Sequence, residues 1–227
     1  MADISELEKT IGYSFKNKSL ITQAMTHSSY ANTHHMKKHS DNERLEFLGD
    51  AVLEVVSSEF LYDKFPDYDE GSLSKLRASL VCEPTLSYCT EEIDLEKYIL
   101  LSDGEEKTGG RKRKSIRSDA MEALIGALFL DGGMEVSKSF ILKYILTDIE
   151  HKRLYHDCKT ALQEVVQSMH KTLHYELVGE EGPDHMKTFY VNALVDDEII
   201  GQGKGNSKKS AEQEAAFQGM KLLKKNI

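Results

Sequence analysis

Five acidic side chains in two short stretches carry the first chemical signal of this sequence. Placed on a helix at about 100° per residue, Glu43 sits at 0°, Glu46 at about 300° and Asp50 at about 340°. Leu45, Leu48 and Val52 fall on the opposite side, at about 200°, 140° and 180°. In the second stretch Asp119 and Glu122 stand three residues apart on one face, with Met121, Leu124 and Leu128 on the other. The apolar run from Ala123 to Leu130 makes this second helix central, and acids on a buried helix are costly unless paired or bound to a cation. A solvated, ion-paired helix face is the plain alternative for either group. If the two helices pack by their apolar sides and their acidic ends converge, four or five carboxylates meet. Like charges that close cannot all ionise without a counter-charge. An all-oxygen donor set of this kind suits Mg²⁺, with Mn²⁺ able to substitute, since both are hard cations.

The elements that must position these acids follow from periodicity. Residues 1 to about 152 read as helical, with breaks at Pro66 and Pro84, a polar loop around Gly104, Gly109 and Gly110, and a stop at Asp131-Gly132-Gly133. His151 to His156 reads as a linker. Beyond it come a helix over Lys159–His170, strands over Leu173–Val178, Thr188–Val195 and Glu198–Gly203, and a last helix over Ser207–Leu223. The expected architecture is an all-α domain over 1–152 followed by a small α+β domain of order α-β-β-β-α over 157–227.

The net charge of −9 argues against a nucleic-acid partner when taken alone. The average conceals two basic clusters, Arg111-Lys112-Arg113-Lys114 with Arg117, and Lys204 with Lys208 and Lys209. Three cysteines, Cys82, Cys89 and Cys158, form no metal-spaced pair and read as thiols of a reducing compartment. No apolar run reaches the roughly 20 residues that cross a bilayer, and the acidic start is unlike a signal peptide. A cytoplasmic protein without a membrane partner is expected. His27, His34, His35 and His39 fit no metal spacing and read as a mobile surface segment between helices.

Asn42–Asp50, reading NERLEFLGD, resembles the signature segment of the ribonuclease III family almost letter for letter. Thr26-His27-Ser28-Ser29-Tyr30, Asp69-Glu70-Gly71 with Leu73–Val81, and Gly109–Ile116 followed by Asp119 and Glu122 resemble its other segments. Asp157–Glu164, Gly182-Pro183-Asp184-His185 with Phe189, and Ser207–Ala216 resemble a double-stranded RNA-binding domain. The resemblance covers almost the whole chain.

That resemblance implies a metal-dependent, homodimeric endoribonuclease that cuts double-stranded RNA. The products would carry 5′-phosphate and 3′-hydroxyl ends with short 3′ overhangs, and ribosomal RNA precursors and other RNA processing are the expected roles. By position Glu46, Asp50, Asp119 and Glu122 would bind the metal, with Glu122 and then Asp50 as the catalytic residues, and Glu43 and Glu70 as supporting acids. A bound ion would lower the pKa of the attacking water, and a second could stabilise the leaving oxygen. Phe47 would contact the partner subunit, although an ordinary core phenylalanine is the plain reading. Gln163, Gln167 and His185 would reach the minor groove of A-form RNA, which is read by shape and 2′-hydroxyls. Ser207, Lys208 and Lys209, at a helix start, would meet phosphates through free N–H groups, the helix dipole and ammonium charge. Arg111–Lys114 is either a further phosphate contact or a solvated loop. A binding-only protein and a small-molecule metallophosphatase remain as alternatives. The first should lack one of the four carboxylates, and the second has no use for the C-terminal module.

Overall fold

The computed structural model describes residues 3–149, 158–182, 187–205 and 207–225. The chain divides into two compact units, Met1–Ile149 and Glu150–Ile227. His185 and the expected linker over 151–156 lie outside the described residues.

In the first unit local signals set the helix ends. Helix α1 (Ile4–Ile11) is capped by Asp3, α2 (Lys18–Ala24) by Asn17, and α3 (Ser28–Thr33) by His27, each side chain accepting from a backbone N–H two residues on. The long helix α4 (Glu43–Lys64) stops before Pro66. Helix α5 (Glu70–Leu80) is capped by Asp69, and α6 (Glu83–Glu92) carries Pro84 in its first turn, where its missing N–H costs nothing. The short α7 (Asp103–Lys107) leads through a 3₁₀ turn to α8 (Lys114–Gly132), and α9 (Met134–Tyr144) follows Gly133 at φ +79°. Helix α8 is the centre of the unit: Ala120, Met121, Ala123, Leu124, Ile125, Ala127 and Leu128 are all fully buried. One carboxylate ties the N-terminal segment to the far end of α8. Asp131 accepts from the Tyr13 hydroxyl at 2.7 Å and from the backbone N–H of Lys16 and Asn17, both at 2.8 Å.

The second unit has the expected order. Helix α10 (Cys158–Ser168) precedes strands β1 (Leu173–Glu181), β2 (Thr188–Val195) and β3 (Glu198–Gly205), and α11 (Lys208–Lys225) closes it. The sheet is antiparallel in the order β1-β2-β3. Val191, Ala193 and Val195 of β2 alternate onto the face covered by Leu162 and Val166 of α10 and by Ala211, Ala215 and Met220 of α11. Glycines on β3 let α11 lie against the strand. A Cβ on Gly203 would stand 2.2 Å from the Ala211 carbonyl oxygen.

Candidate active site

The two acid-bearing helices meet at a glycine pair. A Cβ on Gly49 of α4 would fall 1.8 Å from the Glu122 carbonyl oxygen of α8, and one on Gly126 would fall 2.2 Å from the Leu45 carbonyl oxygen. No side chain larger than hydrogen fits at either point, so the backbones approach more closely than the usual 8–10 Å between helix axes allows for larger contact residues. Leu45, Val52 and Leu53 of α4 and Met121 and Leu124 of α8 fill the core on either side of this crossing. The acids sit beside it. Carboxylate oxygens of Glu46, Asp119 and Glu122 lie within 4.8 Å of one another, the one such group of possible metal ligands among the described residues.

Electrostatics follows from this geometry. Burial, then repulsion from Asp50, Glu46 and Asp119, pushes the Glu122 carboxyl up to about 8. Burial, then repulsion from Asp119, Glu43 and Asp50, pushes Glu46 up to about 7. Burial is also the largest cause holding Asp119 above the usual carboxylate range, opposed by a hydrogen bond from Ser118. Three half-buried carboxyls with raised proton affinity form a site that a divalent cation would relieve, and their oxygens are the hard donors such an ion takes. Asp50 is exposed and acts on both glutamates through space without joining the tight group. Glu43 adds repulsion at Glu46 from the first turn of α4. Glu70 is exposed, and its carboxylate accepts from the Ser74 hydroxyl at 2.9 Å on α5.

Two neighbours of the cluster escape a reading of helix faces. Glu83, at the start of α6, repels the Asp119 carboxylate, and His27 attracts it. His27 is a structured capping residue and no part of a mobile segment: it is half-buried, and its Nδ1 accepts from the Ser29 N–H at 3.2 Å. The Thr-His-Ser-Ser stretch is a capping signal that could have marked it.

The arginines of the first basic cluster are held by partners, while Lys112 and Lys114 stand exposed. The Arg111 guanidinium is held by Glu106 and by the carbonyls of Glu96 and Ile99, and Arg113 pairs with Glu105 at 2.7 Å. Arg117 is buried, paired with Glu91 and bonded to the Arg111 carbonyl. These cations brace the loop that feeds α8.

The family pattern described as Ribonuclease-III-like matches residues 17–149, and that of the double-stranded RNA binding motif matches 158–223. This chain belongs to the ribonuclease III family. It is 49% identical to the Ribonuclease 3 of Caldanaerobacter subterraneus across 97% of this chain and 98% of that one. It is 45% identical to the Ribonuclease 3 of Listeria monocytogenes across 93% of each. A solved structure of the nuclease domain of ribonuclease III from Campylobacter jejuni, described for flexibility in the region involved in dimer formation, is 46% identical. It covers 63% of this chain and 96% of that one with a TM-score of 0.59. A ribonuclease III-like unit followed by a double-stranded RNA binding motif makes the chain an endoribonuclease of duplex RNA.

In the RNA-binding unit Gln163 is half-buried on α10, and Gln167 is exposed one turn later. Ser207 caps α11 by accepting from the Ser210 N–H at 3.1 Å, and Lys208 and Lys209 stand exposed in its first turn. Phe47 is 80% exposed, far from the core phenylalanine that its neighbours would suggest. No helix among the described residues is long and apolar enough to cross a membrane.

Proposed function

We propose that the chain hydrolyses the phosphodiester backbone of double-stranded RNA at the acidic end of the α4–α8 crossing, using Mg²⁺ held by Glu46, Asp50, Asp119 and Glu122. The observation that carries this reading is the convergence of Glu46, Asp119 and Glu122 from two helices to within 4.8 Å. A divalent ion held there supplies a water of lowered pKa and positive charge for the phosphate oxygens. The side chains do the rest. Glu122 and Asp119, half-buried on the rigid α8, fix the donor positions, and low local polarity strengthens their hold on charge. Asp50, exposed on α4, completes the donor set.

Domain limits of 1–152 and 157–227 suit this division of labour. Gln163, Gln167 and His185 read the minor groove, and Ser207, Lys208 and Lys209 hold phosphates at the start of α11. The chain works as a homodimer. Phe47 is the contact, and Val55 and Tyr62, 58% and 73% exposed, extend its apolar stripe along α4. Cysteines 82, 89 and 158, which form no disulfide, fit the reducing cytoplasm, where ribosomal RNA precursors and other transcripts are processed.

Incubation of the purified chain with a long end-labelled RNA duplex tests the reading. Discrete 5′-phosphorylated products should form with Mg²⁺ and vanish with a chelator. An intact duplex under both conditions would refute it.

A further inference from the structure

The loop between α3 and α4 concentrates cations that nothing in the catalytic site uses. His34, His35, Lys37, Lys38 and His39 are consecutive but for Met36, and all five are exposed. Neither lysine has an ion pair among the described residues, unlike Arg111, Arg113 and Arg117. The loop is also pinned. The Gln23 amide donates to the carbonyls of His39 and Asp41, both at 3.1 Å, and the Met36 N–H donates to Ala31 at 3.0 Å. His35 and His39 hold φ of +48° and +64°, a backbone region that costs free energy and persists only where the surroundings impose it. His34 stacks on Tyr30 at 3.9 Å between ring centres.

Its two ends place the loop beside the carboxylates. It leaves α3, whose capping residue His27 acts on Asp119, and enters α4, whose first turn carries Glu43 and Glu46. The six residues of α3 span about 9 Å, so the loop lies within one short helix of the acid cluster. In a chain of net charge −9 this is a free cationic surface next to a site that must accept a polyanion. The histidines are not spaced as metal ligands, since the acid trio is the one such group among the described residues.

His34 donates through Nδ1 to the Tyr30 carbonyl at 3.0 Å. Among the described residues, Gln23 from α2 and Tyr30 from α3 bond to or stack on the loop, while Asp41 and Glu43 flank it in the chain.

Resting on the nuclease reading above, we infer that the His34–His39 loop is a second phosphate-binding surface, which grips the RNA backbone beside the scissile bond.

Equilibrium binding of the full chain to duplex RNA tests the inference, with Ca²⁺ replacing Mg²⁺ and gels confirming that the RNA stays whole. Two variants are compared with the wild type across a salt series. Lys37→Gln with Lys38→Gln alters only exposed ends and should flatten the salt slope by about two, because each phosphate contact contributes about one. His34→Gln with His35→Asn and His39→Asn keeps a donor at 34 and left-handed-tolerant residues at 35 and 39. It should weaken duplex binding while leaving the thermal midpoint unchanged. Slopes and affinities equal to the wild type for both variants, with unchanged thermal midpoints, would overturn the loop's role. Failure of the wild type to cut duplex RNA in Mg²⁺ would instead count against the nuclease reading.

Discussion

Glu122 bears the heaviest demand of any single side chain, because burial and three neighbouring carboxylates all raise its proton affinity. Glu122→Gln keeps the shape and removes the charge. Cleavage of duplex RNA in Mg²⁺ should be lost while gel-shift affinity for the duplex stays near wild type. The same raised affinities set a pH dependence of stability. Glu46 and Glu122 bind protons more tightly folded, at about 7 and about 8, than an ordinary carboxylate does. Their contribution is therefore present in full below about pH 4.5 and is lost as pH rises through 7 to 8. Without divalent cations the melting temperature should fall across that window, and the fall should shrink in Glu122→Gln. Added Mg²⁺ should restore stability most at the alkaline end, where the acids are bare. The identity of these acids is legible in the sequence because helix periodicity is local. The influence of His27 and Glu83 on Asp119 is not, because it depends on where α3 and α6 pack.

At the scale of the element, Gly49 and Gly126 decide whether the acids meet. An alanine at position 126 would bring a methyl group to 2.2 Å from the Leu45 carbonyl oxygen, backbone that cannot swing aside. Gly126→Ala should cost about 3 kcal/mol by overpacking. Cleavage should fall further than the loss of folded protein explains, since separating α4 from α8 pulls Glu46 from Asp119 and Glu122. Circular dichroism melts and single-turnover cutting measure the two effects separately. Helix-face reasoning finds the apolar stripes of both helices yet passes over these glycines, which look like ordinary small residues until the partner backbone is known. Arg111–Lys114 shows the converse. A basic run suggests phosphate, but Glu106 and Glu105 pair with Arg111 and Arg113, as Glu91 does with the nearby Arg117, and such pairing is invisible to composition.

At the scale of the whole molecule, the ribonuclease III-like stretch and the double-stranded RNA binding motif fall in separate units. Lys208→Ala with Lys209→Ala touches only exposed side chains at the start of α11. Duplex binding should weaken across all sequences, and the dependence of log affinity on log salt should flatten by about two. The order of helix and strands in both units is legible in the sequence, since capping residues, prolines and period-two alternation are written locally. The single-carboxylate clamp at Asp131 has a practical reach. Ribonuclease III likeness begins at residue 17, but Tyr13 and Lys16, two of the three residues that Asp131 holds, come earlier. A chain trimmed to the recognisable nuclease would thus unfasten the trailing end of the very helix that carries Asp119 and Glu122.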